Sequence, residues 1–337
     1  MLITALQPIE RYSLTDAVRS ISWSPTERTL ALGADGRARL GDHEQLTAPI
    51  GPDPVGACWI TGERVAVIDA ALGVVVAGGG SIDAAPVLGP VCVEAPRVDA
   101  DPNVARHQYA VVAGHDGVSV IRPEPVGARQ PTRISTGPVR ALTHLGGSIW
   151  LAGGAGGLVV VDVALAAVDQ RVELPGVVAM AAAPAIGRIV AADATGALHV
   201  LDLGDLERGT ELTGYPDAVR LLDISPSGEV VVACADDEVT WWAVDRIGRV
   251  SDEPECSVGH ESPITACAFG SSGYVATGDP DGVVRLWSPR LRDLPLAALH
   301  VGDEVTELRW SPWGERLAIG TAGGDVVVAT VDAGDVL

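Results

Sequence analysis

The chain contains no lysine, and among its 337 residues it has one asparagine, one phenylalanine and two methionines. Its 23 basic residues are therefore all arginine, set against 44 acidic ones, for a net charge of −21. So acidic a surface repels nucleic acid and anionic membranes, which sets both aside as partners. Cysteine is scarce too. Cys58, Cys92, Cys234, Cys256 and Cys267 are odd in number, scattered and never paired as CxxC. That excludes a disulfide framework or a zinc site, and the five read as small core residues. No apolar run approaches the roughly 20 residues of a membrane-spanning helix; Leu72–Ala77 and Leu158–Val163 are strand-sized. Residues 1–14 lack the basic start, long apolar stretch and small-residue cleavage site of a secretory signal, so a cytoplasmic location is expected.

What is present is apolar and turn-rich: 47% hydrophobic residues, 40 glycines and 23 prolines, a mixture that suits short buried strands joined by tight turns. The length exceeds what one ordinary core fills, yet composition does not change along the chain and no linker divides it. Repetition within a single domain, 1–337, is the expectation.

The repeat is clearest in two C-terminal stretches that begin at Pro263 and Glu304. Each reads strand, turn, strand, turn, strand, with apolar alternation in the strands and SSG, SPWG, DPDG and AGGD clusters in the turns. A turn glycine before the third strand recurs at Gly36, Gly73, Gly117, Gly157, Gly196, Gly282 and Gly324, with Glu238 in the remaining place. A second marker is the bulky residue that closes the first strand: Trp23, Trp59, Ile224, Phe269 and Trp310. The period of about 41 residues is that of a propeller blade. The predicted fold is all-β, a single closed β-propeller of four-stranded blades. Eight turn markers favour eight blades, with seven as the alternative. The last repeat ends near Val331, so residues 1–14 are expected to supply its outer strand and residues 15–337 the repeats.

With these features the chain resembles the WD-repeat family over essentially its whole length. One repeat carries the full signature, Gly259-His260 followed by Thr277, Asp281 and Trp287, spaced as the family's His–Thr–Asp–Trp hydrogen-bonded tetrad. Other repeats depart from it: Gly323 occupies the aspartate place in the last, and Ala243 the tryptophan place in the sixth. The resemblance implies a scaffold for protein partners. With a composition typical of a GC-rich genome, such as an actinobacterium's, it also implies a subunit of a bacterial signalling or conflict-response assembly.

Enzyme-like constellations dissolve under their spacing. His260, Asp281 and Thr277 share residue types with a catalytic triad, but they sit at tetrad spacing without a nucleophile elbow. His43, His107, His115, His144, His199 and His300 show no metal-ligand spacing. Gly153–Gly157 precedes a valine-rich strand rather than a helix, so it lacks the helix N-terminus that makes such loops bind phosphate. Asp279-Pro280-Asp281-Gly282 starts like a calcium loop without the later ligands. Ala192–Gly196 is similar to a repeat of eight-bladed quinoprotein dehydrogenases but occurs once and lacks the following tryptophan. No catalytic residue, metal or cofactor is expected. The alternative reading is a propeller enzyme, a hydrolase or quinoprotein-like oxidoreductase, with a central-channel site.

In the family, residues flanking the leading apolar residue of each first strand lie on the top face near the channel, where partners dock. Carried onto this chain, the position after it holds Arg19, Gly56, Cys92, Arg140, Val178, Arg220, Thr265 and Thr306, and the position before it ends with Glu304. Three arginines on one rim of an acidic protein can take carboxylates bidentately. The expected partner-binding set is Arg19, Arg140, Arg220, Thr265, Thr306 and Glu304, with an acidic segment of a protein as the partner. The competing expectation is that the arginines pair with Asp16, Asp217 or Asp223 and merely support their own blades.

Overall fold

The computed structural model describes residues 4–24, 26–41, 53–60, 65–71, 73–78, 81–85, 92–94, 109–121, 132–245 and 248–333. These residues form eight antiparallel sheets in which strands that follow one another in sequence lie side by side. The first strands are Val18–Trp23, Pro54–Trp59, Cys92–Glu94, Val139–Gly146, Val177–Ala183, Leu221–Ile224, Ala266–Phe269 and Val305–Trp310. They are numbered here as blades 1 to 8. His43, Leu72, Pro90, Val91 and His107 lie outside the described residues, as does the side chain of Cys92. No helix among the described residues is long and apolar enough to cross a membrane.

A sheet with neighbours on both faces needs apolar residues on both faces, so the middle strands read as continuous apolar runs. Thr29–Gly33, Val65–Asp69, Ala110–Gly114 and Arg188–Asp193 are buried at every position. The outer strands face solvent; Ala167–Val172 has no buried position. Apolar clusters join each sheet to the next. Leu30 and Leu32 of blade 1 meet Trp59 and Val67 of blade 2, and so on round to Ala318 and Val326 of blade 8 against Val18 and Ile21 of blade 1. Each fully buried valine or leucine contributes about 1.5–3 kcal/mol, and no blade can bury both of its faces alone.

The recurrent turn glycine is required by backbone geometry. Gly157 has φ +98°, and a Cβ there would lie 2.2 Å from the carbonyl oxygen of Val172. Blade 6, with Glu238 in the glycine place, moves the left-handed residue back to Asp236, at φ +55°. An aspartate tolerates that conformation where most side chains do not.

Ring closure uses the N-terminal segment. Thr4–Ser13 pairs antiparallel with Asp325–Ala333, from Thr4 opposite Ala333 to Ser13 opposite Asp325, with a register shift between Pro8 and Glu10. Asp325 accepts from Ser13 Oγ at 2.5 Å and from Arg11 at 2.5 and 3.1 Å. The Ser13 hydrogen bond, with Arg11 assisting, holds the Asp325 carboxyl below the usual carboxylate range. The expectation of four strands in every blade needs correction at blade 1, whose described sheet has three: Val18–Trp23, Thr29–Gly33 and Ala38–Leu40. Gly41 ends its third strand by donating its N–H back to Thr29 O, with space so tight that a Cβ would lie 2.3 Å from Thr29 Oγ1.

Candidate functional site: the rim of the first strands

The histidine network of blade 7 is built, but with a different aspartate from the one expected. His260 Nδ1 lies 2.6 Å from Asp279 Oδ2, its Nε2 lies 2.7 Å from Thr277 Oγ1, and Trp287 Nε1 donates to the same hydroxyl at 2.7 Å. Asp281, the tetrad aspartate by spacing, instead accepts from Ser262 Oγ at 2.5 Å at the surface. The reason is the Asp-Pro-Asp-Gly turn. Asp279 directly follows the buried strand Val275–Gly278, and its Oδ1 also accepts the Val283 N–H at 2.9 Å, so its carboxylate closes the turn and caps the histidine together. Burial holds the His260 imidazole below its ordinary pKa, with the Asp279 hydrogen bond acting in the opposite direction. The Thr277 hydroxyl, wholly buried and shared by two partners, presents nothing to a substrate.

The same logic accounts for Ala192–Gly196. Asp193 Oδ1 accepts from Thr195 N–H at 2.8 Å, Thr195 Oγ1 at 2.7 Å and Ala197 N–H at 3.1 Å, while Oδ2 lies 2.8 Å from His199 Nε2. This second histidine–aspartate pair was missed in the sequence because His199 follows its partner by six residues, on the next strand, instead of preceding it as in the signature. No group of three or more His, Cys, Asp or Glu among the described residues is arranged to hold a metal ion.

At the rim, five of the first strands start with a buried residue and then a β-bulge. Pairing slips between Val18 and Ser20, Pro54 and Gly56, Val139 and Ala141, Val177 and Ala179, and Val305 and Glu307. The extra residue bows out of the sheet, as bulged residues do. Arg19 and Arg140 occupy it, and Arg220, directly before Leu221–Ile224, follows buried Val219 in the same way. All three are exposed, and among the described residues none takes part in a hydrogen bond or ion pair. The competing expectation meets carboxylates already engaged with backbone: Asp16 accepts Ala17 N–H, and Asp223 accepts Ile224 and Phe269 N–H, each at 2.8 Å. In blade 2 the bulge residue is Val55, not Gly56, because Pro54 is the buried leading residue.

The two threonines of the rim behave differently. Thr306 Oγ1 donates to Val18 O at 2.9 Å and Thr265 Oγ1 to Val305 O at 2.6 Å. Each hydroxyl thus stitches its blade to the leading residue of the next. Glu304 is half-buried, and its carbonyl accepts the Ala322 N–H. Two of the tryptophans that close first strands stitch in the reverse direction: Trp310 Nε1 donates to Ala268 O at 3.0 Å, and Trp23 Nε1 to Arg309 O at 2.9 Å. A cleft of about 360 Å³ lies at the outer side of blades 7 and 8, lined by Ile9, Arg11, Leu299 and His300, away from this rim.

A ring of small antiparallel sheets, each packed on both faces, is a β-propeller. Solved structures agree in fold: a chain described as the computationally designed Ika8 protein matches with a TM-score of 0.73 over 96% of this chain and 99% of its own at 19% identity. The Dos1 propeller matches at 0.71, over 96% and 95%, with 17% identity. The family described as "WD domain, G-beta repeat" matches residues 8–42 and 253–288. These two stretches match WD repeats within a propeller fold, and WD-repeat propellers typically act as protein-interaction scaffolds. Among curated proteins, the "Periodic tryptophan protein 2 homolog" of Schizosaccharomyces pombe is 31% identical over 114 residues, 33% of this chain and 13% of its own. The "WD repeat- and FYVE domain-containing protein 4" of Mus musculus is 28% identical over 127 residues, 35% of this chain and 4% of its own. The chain therefore spans only a small part of the length of these relatives. Both are eukaryotic and lend no support to the expected bacterial source.

Proposed function

We propose that this protein is a non-enzymatic scaffold that binds a partner protein on the top face of the propeller, with Arg19, Arg140 and Arg220 anchoring an acidic segment. The observation that carries this reading is the exposure of three guanidinium groups at the heads of first strands, without partners among the described residues, in a chain of net charge −21. They sit on blades 1, 4 and 6 and so surround the axis, suited to a segment laid across the channel mouth. Glu304 lies at the same rim. Thr265 and Thr306 hold it rigid, and rigidity lowers the entropic cost of binding. The lysine-free, asparagine-poor composition supports a GC-rich bacterial source, in which the chain would serve as a cytoplasmic subunit of a signalling or conflict-response assembly.

The test uses a fluorescent glutamate-rich peptide and a lysine-rich peptide of equal length. The glutamate peptide should bind the intact chain, weaken with added salt, and lose at least tenfold in affinity in the Arg19→Ala/Arg140→Ala/Arg220→Ala protein, at about 1.5 kcal/mol or more per charged hydrogen bond. Unchanged affinity together with unchanged Tm in that variant discards the reading.

A further inference from the structure

The top face is divided in two by charge. The loops that enter the first strands share this end with the turns that link second to third strands, because Val139 pairs with Gly154 and Val177 with Asp193. Over blades 4 and 5 these segments are 136–138, 155–156, 173–176 and 194–196, and Glu173 is the only acidic residue in them. It is offset by Arg171, two residues before it, whose guanidinium donates to Thr136 O at 3.3 Å. A Cβ on Gly137 or Gly156 would meet nothing within 4 Å, so the floor of this lobe is low and open. Over blades 6, 7, 8 and 1 the same places carry exposed Asp217, Asp236, Glu261, Asp281, Asp303 and Asp16, an acidic wall. At the heads of the first strands of blades 4, 5 and 6 stand Arg140, Val178 and Arg220 in succession. Val178 fills the extra place of the bulge between Val177 and Ala179, half-buried, its inner side packed on the apolar cluster of blades 5 and 6. The arginines on either side of it are exposed.

We propose, resting on the scaffold reading above, that the partner's acidic segment carries an apolar side chain between two acidic ones and lies over blades 4 to 6. Its carboxylates meet Arg140 and Arg220, and its apolar side chain covers Val178. Charge decides the path. An acidic segment is repelled by the wall of blades 6 to 1, and like charges brought together at an interface cost enough to exclude that orientation. The lobe of blades 4 and 5 opposes it with no such wall. Arg19 stands on the acidic side, three residues from Asp16, so it takes only the end of a segment that crosses the channel mouth. Between the two arginines the valine offers no hydrogen bond, and a polar side chain laid on it loses water without a partner, whereas a leucine there removes apolar surface from water on both sides. The arginines thus set the charge of the segment, and Val178 sets the residue between the charges.

The test uses two fluorescent peptides of equal length and charge, with cores Glu-Glu-Leu-Glu-Glu and Glu-Glu-Ser-Glu-Glu, titrated into the intact chain. The leucine peptide should bind about fivefold more tightly. Val178→Thr keeps the side-chain volume but adds a hydroxyl; it should abolish most of that preference and leave the serine peptide within about twofold. Two further variants add the same single negative charge at exposed turn residues on opposite sides of the face, Ala155→Glu in blade 4 and Pro280→Glu in blade 7. With Tm confirming that both fold, Ala155→Glu should weaken both peptides about fivefold and Pro280→Glu less than about twofold. Equal affinity for the two peptides, a leucine preference that survives Val178→Thr, or equal weakening by the two added charges would each overturn the motif and its path while leaving the scaffold reading in place. Absence of binding to the intact chain, or affinities indifferent to Arg140→Ala and Arg220→Ala, would remove the scaffold reading and the motif together.

Discussion

Blades 7, 8 and 1 and the pair formed by blades 4 and 5 solve the same packing problem with different chemistry. Where blade 8 meets blade 7 and blade 1, rim threonines and strand-closing indoles donate to carbonyls across the interface. Between blades 4 and 5 the bulge residue is Arg140 on one side and Val178 on the other, and the first strand of blade 5 is Val-Val-Ala-Met-Ala-Ala-Ala. One contact is nevertheless common to both regions. The leading valine of one blade presses onto a glycine of the preceding one: Val177 on Gly153, Val305 on Gly278, and Val18 on Gly320, each with a valine Cγ1 within 2.7 Å of where a Cβ would stand. The valine knob and glycine hole thus make up the shared joint, and the polar stitches are additions to it. This explains how blades 4 and 5 depart from the family signature without departing from the fold.

The comparison can be broken at several points, and Trp287 carries the largest expected effect. Trp287→Ala removes a fully buried indole and its bond to Thr277, at about 4 kcal/mol, read as a fall in the urea midpoint; a loss under 1 kcal/mol would show that the blade 7 network is ornamental. Gly278→Ala and Gly153→Ala should each cost about 1–3 kcal/mol by overpacking, equally in both regions. If only Gly278→Ala destabilises, the knob is not the shared joint. Asp279→Ala, by leaving His260 unpaired, should cost about 1–3 kcal/mol, whereas Asp281→Ala should stay within about 0.5 kcal/mol. The reverse order would restore the aspartate expected from spacing. Thr306→Val should lose about 1 kcal/mol, and Val178→Thr should gain nothing in Tm.

The smallest effect distinguishes the closing strand. Asp325 titrates lower in the folded chain than in the unfolded one, so the unfolded state takes up the proton first as pH falls. The stabilisation is present above the ordinary carboxylate range and is lost as pH falls through the folded value. His260, held neutral by burial, acts in the same direction below the ordinary imidazole range. In a series of Tm measurements from neutral to acid pH, Asp325→Asn should flatten the acid limb and leave the imidazole range unchanged.

Much of the fold was legible because its signals are local. A strand's alternation, a left-handed glycine such as Gly157, and the interval to the next one are written within a few dozen residues. The arginine positions were legible for the same reason, since Val18-Arg19, Val139-Arg140 and Val219-Arg220 repeat one local pattern. Spacing misled at Asp281, where two aspartates two residues apart could each serve and only the turn's closure chooses Asp279. It misled again at Gly56, where proline replaced the leading valine and shifted the bulge to Val55.

The sequence by itself determined the repeat and the strand-and-turn order within each unit, and, outside blade 2, the valine–arginine pairs Val18-Arg19, Val139-Arg140 and Val219-Arg220 at the rim. The tertiary structure alone decided that Thr265 and Thr306 stitch blades together and that Asp193 meets His199. The physical reason is range: backbone conformation and burial period are set by a residue's near neighbours, whereas a contact between sheets exists only once the ring has closed and set each blade's face against the next.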